Sequence, residues 1–87
     1  MNLTKGARLM IISRIEFPCH YFDKNGKQLF GKTIFKLGLG HCGKEATSLK
    51  YEISDFRLTI YQICDMEMKT FIYRLADICG RIEVTYA

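Results

Sequence analysis

Eighty-seven residues, 48% of them hydrophobic, bury roughly two-thirds of their unfolded surface, enough for one domain over residues 1–87 but not for a deep cleft between two lobes. The composition is that of an ordinary globular chain with a single proline, and it holds no low-complexity run or internal repeat; only residues 1–7 are expected to be flexible. The net charge of +4 conceals an asymmetry: residues 1–44 carry eight Lys/Arg against two acids, giving +6, and residues 45–87 carry five against seven, giving −2.

The apolar run Leu9-Met-Ile-Ile12 is too short for a secretory signal or for a membrane span, so the chain reads as cytoplasmic with no membrane partner. In that compartment Cys19, Cys42, Cys64 and Cys79 stay reduced, and Cys64 and Cys79 read as small buried hydrophobes.

Arg8 to Phe17 predicts a first strand, with Leu9, Ile11, Ser13, Ile15 and Phe17 on one face and Met10, Ile12, Arg14 and Glu16 on the other. Pro18, lacking a backbone donor, ends the pairing or forces an edge. Asn25-Gly26 marks a hairpin, since both residues tolerate the positive φ of a type I′ turn. The returning strand, Lys27 to about Leu37, turns Leu29, Thr33, Phe35 and Leu37 inward and Phe30, Lys32, Ile34 and Lys36 outward, with Gly31 a candidate bulge.

Gly38-Leu-Gly-His-Cys-Gly-Lys-Glu45 fits a phosphate-loop pattern until Glu45 replaces the Ser or Thr that would hold magnesium, and a strand rather than a long helix follows it; it reads as a connection. Leu49, Tyr51 and Ile53 alternate with Lys50 and Glu52, and Ser54-Asp55 turns into Arg57–Ile63, where Phe56, Leu58 and Ile60 share one face. From Asp65 the period changes. Met68, Phe71, Ile72, Leu75, Ile78 and Cys79 recur at steps of three and four, Asp65 suits an N-cap and Gly80 a C-terminal cap, so a helix is predicted there before a last strand, Ile82 to Tyr86. The fold class so predicted is α+β: a mostly antiparallel sheet of four to six strands with one C-terminal helix on one face, in the order β-β-β-β-β-α-β.

Chemistry is sparsely marked. Cys19-His20 and His41-Cys42 supply the ligands of a Cys2His2 zinc set, but neighbours on a strand point to opposite faces and neither pair has the two-to-four-residue gap of a zinc knuckle. Cys42 beside His41 does not make an aligned nucleophile and base, and the nine acids are scattered, so neither a cofactor nor an enzyme is expected.

Two binding surfaces remain. The first is basic: Arg8, Arg14, Lys24, Lys27, Lys32, Lys36 and Lys44, with Phe30, Ile34, Tyr21 and His20 interleaved. Such a face can neutralise phosphates and stack bases or meet an acidic protein patch; a solvated face whose lysines guard an edge is the plain alternative. The second is the far side of the predicted helix, where Met66 and Tyr73 project together.

These features describe a small non-catalytic module that binds a macromolecule, a protein partner first. By analogy of size and style, it resembles the phage and mobile-element proteins that block a host nuclease or defence complex. Single-stranded DNA or RNA on the basic face is the alternative reading, and a metal- or thiol-dependent small enzyme a third. The last strand, if at a sheet edge, could pair with its copy in a homodimer.

Overall fold

The computed structural model describes residues 11–38 and 45–87. Six strands carry them: β1 (Ile12–Phe22), β2 (Gln28–Lys36), β3 (Ala46–Ile53), β4 (Arg57–Cys64), β5 (Glu67–Arg74) and β6 (Glu83–Tyr86). They form two three-stranded antiparallel sheets, ordered β2-β1-β6 and β3-β4-β5. Alternation gives each sheet one apolar face, and the two faces meet. Ile15 and Phe17 of β1 and Phe35 of β2 share a buried cluster with Leu49, Leu58 and Ile60 of the second sheet. Phe17 sits edge-on to Tyr73 at 5.0 Å between ring centroids, and Phe35 lies 5.0 Å from Phe71.

The predicted C-terminal helix is absent, and the α+β expectation is corrected to an all-strand double layer. Residues 67–74 instead pair with β4 throughout, from Cys64↔Glu67 to Arg57↔Arg74. Read at period two, Phe71 and Tyr73 point inward while Met68, Thr70 and Ile72 point out, so the same apolar residues satisfy a strand. Thr70-Phe-Ile-Tyr73 is a run of β-branched and aromatic side chains, which lose rotamer freedom in a helix and pack well on a pleated sheet. Asp65 caps nothing; it takes φ +57° in the two-residue turn between β4 and β5. The only helical turn among the described residues is 3-10, Leu75–Asp77.

Gly80 serves in packing. A Cβ there would lie 2.6 Å from Pro18 Cγ, so only glycine lets the chain pass under that ring. Contrary to expectation, Pro18 neither ends β1 nor forces an edge: it pairs with Lys32 inside the ladder. Its carbonyl accepts from Cys79 N (3.0 Å), so its missing donor faces the segment that runs beside β1 before β6 begins.

The hairpin between β1 and β2 is present, but its turn is wider than type I′. Gly26 alone has positive φ (+83°), Gly26 N donates to Asp23 O, and the Asp23 carboxylate accepts from Asn25 N and Lys27 N at 2.9 Å each. That is a three-residue loop with glycine in the left-handed position. Gly31 makes no bulge; register shifts fall instead at Ile12/Arg14 and Ala46/Ser48. Cys64 is buried as expected, whereas Cys79 is exposed. Phe56, expected to face inward, is also exposed, because the chain is still turning there before β4 begins. β6 lies at a sheet edge.

Candidate functional site

The outward face of the first sheet holds Arg14, Lys32 and Lys36 of the basic set. On β2, Phe30, Lys32, Ile34 and Lys36 project outward, opposite His20, Pro18, Glu16 and Arg14 of β1. Phe30 is 72% exposed and Ile34 40%, large for apolar side chains on a strand. His20 and Phe30 stack edge to face at 6.3 Å, and His20 Nδ1 pairs with Gln28 Nε2 at 2.9 Å. Lys24 and Lys27 are exposed on the hairpin that closes one end of this face. Arg8 and Lys44 lie outside the described residues.

Glu16 sits among these cations. Its Oε1 is 3.1 Å from Arg14 Nε and its Oε2 3.1 Å from Lys32 Nζ, with its own side chain only 13% exposed. Arg14 Nε makes no hydrogen bond, so that contact is one of charge rather than of directed donation. Glu83 of β6 is the cross-strand neighbour of Glu16, and its Oε2 lies 3.6 Å from Arg81 Nη2. The face is thus a mosaic: Lys36 is its one cation on β1 or β2 without an ion-pair partner among the described residues, with apolar Ile34 next to it and Phe30 further along the same face. The strand spacing that put Arg14 and Glu16 on one face already carried this signal, since residues two apart are neighbours there.

The second expected surface changes with the helix. Met66 sits at the tip of the β4–β5 turn, 99% exposed, while Tyr73 points inward onto Phe17 and Phe35, so the two share no face. Burial holds the Tyr73 hydroxyl above the usual tyrosine range.

Cys19 and His20 point to opposite faces, Cys19 buried and His20 outward. Burial raises the Cys19 thiol, helped by Asp77 and Cys79, which leaves it a poor nucleophile at neutral pH. His41 and Cys42 lie outside the described residues; among those described, no three metal-binding side chains gather. No described helix is long and apolar enough to cross a membrane.

A family model for the Enterobacteria phage T3 gene 1.05 protein matches residues 11–86, which spans every strand described above. The gene 1.05 protein of Enterobacteria phage T3, itself described as uncharacterized, is 49% identical over 57 residues, 64% of this chain and 63% of the T3 protein. The match therefore covers less than two-thirds of that relative. No solved structure matches.

Proposed function

The chain belongs to the Enterobacteria phage T3 gene 1.05 protein family, a family of phage proteins, and from that premise we propose that it acts without catalysis, by binding a protein through the outward face of β1 and β2. The supporting observation is the Glu16 mosaic. A phosphate backbone is held by cations free to release counterions, and here two of the cations already face a carboxylate at 3.1 Å. A phosphate strand would meet Glu16 and Glu83 as well. A protein surface offers apolar contact for Phe30 and Ile34 together with charges of both signs, which is the composition this face complements. In a phage, such a binder suits the inhibition of a host nuclease or defence complex in the host cytoplasm.

The test is capture from a lysate of a susceptible bacterium with tagged protein, followed by reconstitution with the purified partner. Phe30→Ala/Ile34→Ala should abolish capture, and Lys32→Ala/Lys36→Ala should weaken it and flatten its salt dependence. Retention of single-stranded DNA at low salt, with a steep fall as salt rises and no loss in the Phe30/Ile34 variant, would replace the protein reading with the nucleic-acid one.

A further inference from the structure

A second site lies away from that face, where the β3–β4 turn meets the end of β5. Leu75 N donates to Phe56 O (2.9 Å), tying the two segments together. Beside this tie opens a cleft of about 480 Å³ lined by Asp55, Phe56, Arg57, Arg74, Leu75 and Ala76. That volume is within the usual range for a small bound group. Phe56 is 79% exposed at its margin, a large aromatic ring left in water beside an apolar floor.

The charges at the rim give the occupant its sign. Arg57 and Arg74 are direct cross-strand partners, a juxtaposition of like charges that destabilises a sheet unless an anion intervenes. Asp77 relieves one of them, accepting from Arg74 Nε at 3.0 Å and Nη2 at 3.2 Å. Arg57 has no such partner among the described residues, so its fork of donors stands open to a carboxylate or phosphate. Asp55, on the same rim, repels any anion beside it, a run of phosphates more than one carboxylate seated on the Arg57 side, and it can accept from the backbone N–H of a peptide, a donor that a phosphate strand lacks.

We propose that the cleft between Phe56 and Leu75 binds an acidic segment of a partner protein, seating an apolar side chain against Phe56, Leu75 and Ala76 with a neighbouring carboxylate on Arg57. This goes beyond the binding face of β1 and β2 and uses none of its residues, so either can fail alone.

The experiment is an amide chemical-shift titration of the isotope-labelled full chain with acetyl-Asp-Leu-Asp-amide, with acetyl-Lys-Leu-Lys-amide and a thymidylate hexamer as comparators. The acidic peptide should shift the amides of residues 55–57 and 74–76 and leave β2 unmoved. Arg57→Glu should weaken its binding about tenfold, the worth of one charge-assisted hydrogen bond. Phe56→Ala should weaken it too, with the spectrum outside the cleft unchanged in both variants. Equal shifts from the lysine peptide, no cleft shift up to about 10 mM peptide, or tighter binding of the oligonucleotide at these same amides would each overturn the proposal.

Discussion

Gly80→Ala sets two well-characterised effects against each other. Replacing glycine by alanine where the backbone is compatible stabilises a protein by about 0.4–1 kcal/mol, because the unfolded chain loses freedom. Gly80 does not have positive φ, so its conformation raises no local objection. The objection is spatial: the new Cβ would sit 2.6 Å from Pro18 Cγ and 3.4 Å from Cδ. Carbon atoms settle at about 3.5–4.0 Å, so one side must yield by roughly 1 Å. Neither side yields cheaply. The proline ring is rigid and sits in a central strand, and the glycine segment is pinned by the 3.0 Å bond from Cys79 N to Pro18 O and by the Cys19↔Ile78 bridge. Overpacking of this kind costs about 2–3 kcal/mol at the upper end of its usual range. The net expectation is a loss of about 1–2 kcal/mol, or a fall in Tm of roughly 5–12 °C for a chain of this size. Thermal and urea unfolding followed by circular dichroism measure it, and Pro18→Ala/Gly80→Ala should recover at least about 1 kcal/mol relative to the sum of the single changes. A neutral or stabilising Gly80→Ala would refute the close approach, because the entropic gain would then stand unopposed.

Four further outcomes are expected. Asp65→Gly should stabilise by about 0.5 kcal/mol in urea unfolding, since φ +57° strains a residue with a Cβ and glycine's greater unfolded-state entropy offsets only part of the relief. Leu58→Ala, which opens a void in the fully buried layer between the sheets, should cost about 3 kcal/mol and show as a lower urea midpoint with an unchanged slope. Because burial raises Tyr73 in the folded chain, the unfolded chain loses that proton first; the Tyr73 contribution to stability is full below about pH 10 and falls as pH rises toward its folded value, and Tyr73→Phe should flatten that alkaline limb in a series of melts. Glu16→Gln should change stability by no more than about 1 kcal/mol, because both ion contacts are partly solvated, yet it frees two cations and should raise the affinity for single-stranded DNA at low salt; unchanged affinity would mean that Glu16 does not mask this face.

The strands that alternate cleanly were legible in the chain. Leu29, Thr33, Phe35 and Leu37 lie on one side of the returning strand and Phe30, Lys32, Ile34 and Lys36 on the other, because period two follows from local stereochemistry alone. The segment 65–80 was not. Met68, Phe71, Ile72, Leu75 and Ile78 fit a helical stripe, yet Phe71 and Tyr73 fit a strand as well, and what decides is a partner: β4 offers a ladder whose inward residues Leu58 and Ile60 sit directly opposite Tyr73 and Phe71. A single-residue period cannot report that tertiary preference. The two residues that suit helix caps serve elsewhere. Asp65 tolerates the left-handed turn, and Gly80 leaves room for a ring sixty-two positions earlier in the chain, at Pro18.

The sites divide along the same line. Which side chains share a face is a local property, so the basic set on β2 could be read directly, whereas its electrostatic character could not. The charges of residues 1–44 suggest a phosphate-binding surface only while they are counted together. Once Glu16 is placed between Arg14 and Lys32, and Glu83 beside it from a strand almost seventy residues away, the face loses the run of uncompensated cations that counterion release requires. The Phe56 cleft depends still more on distance, since Arg57 and Arg74 become neighbours only when residues 67–74 form a strand; in a helix over that segment the two guanidiniums would not be cross-strand partners. The absence of the predicted helix and the formation of that cleft therefore have one cause, the pairing of β5 with β4. A variant that breaks this pairing at its far end, Ile63→Pro, removes a donor from a central strand and should abolish acidic-peptide shifts at Phe56 by unfolding the second sheet. Arg57→Glu should leave the sheet intact and move the same shifts to about tenfold higher peptide concentration, and the difference between the two spectra separates the cleft's chemistry from its scaffold.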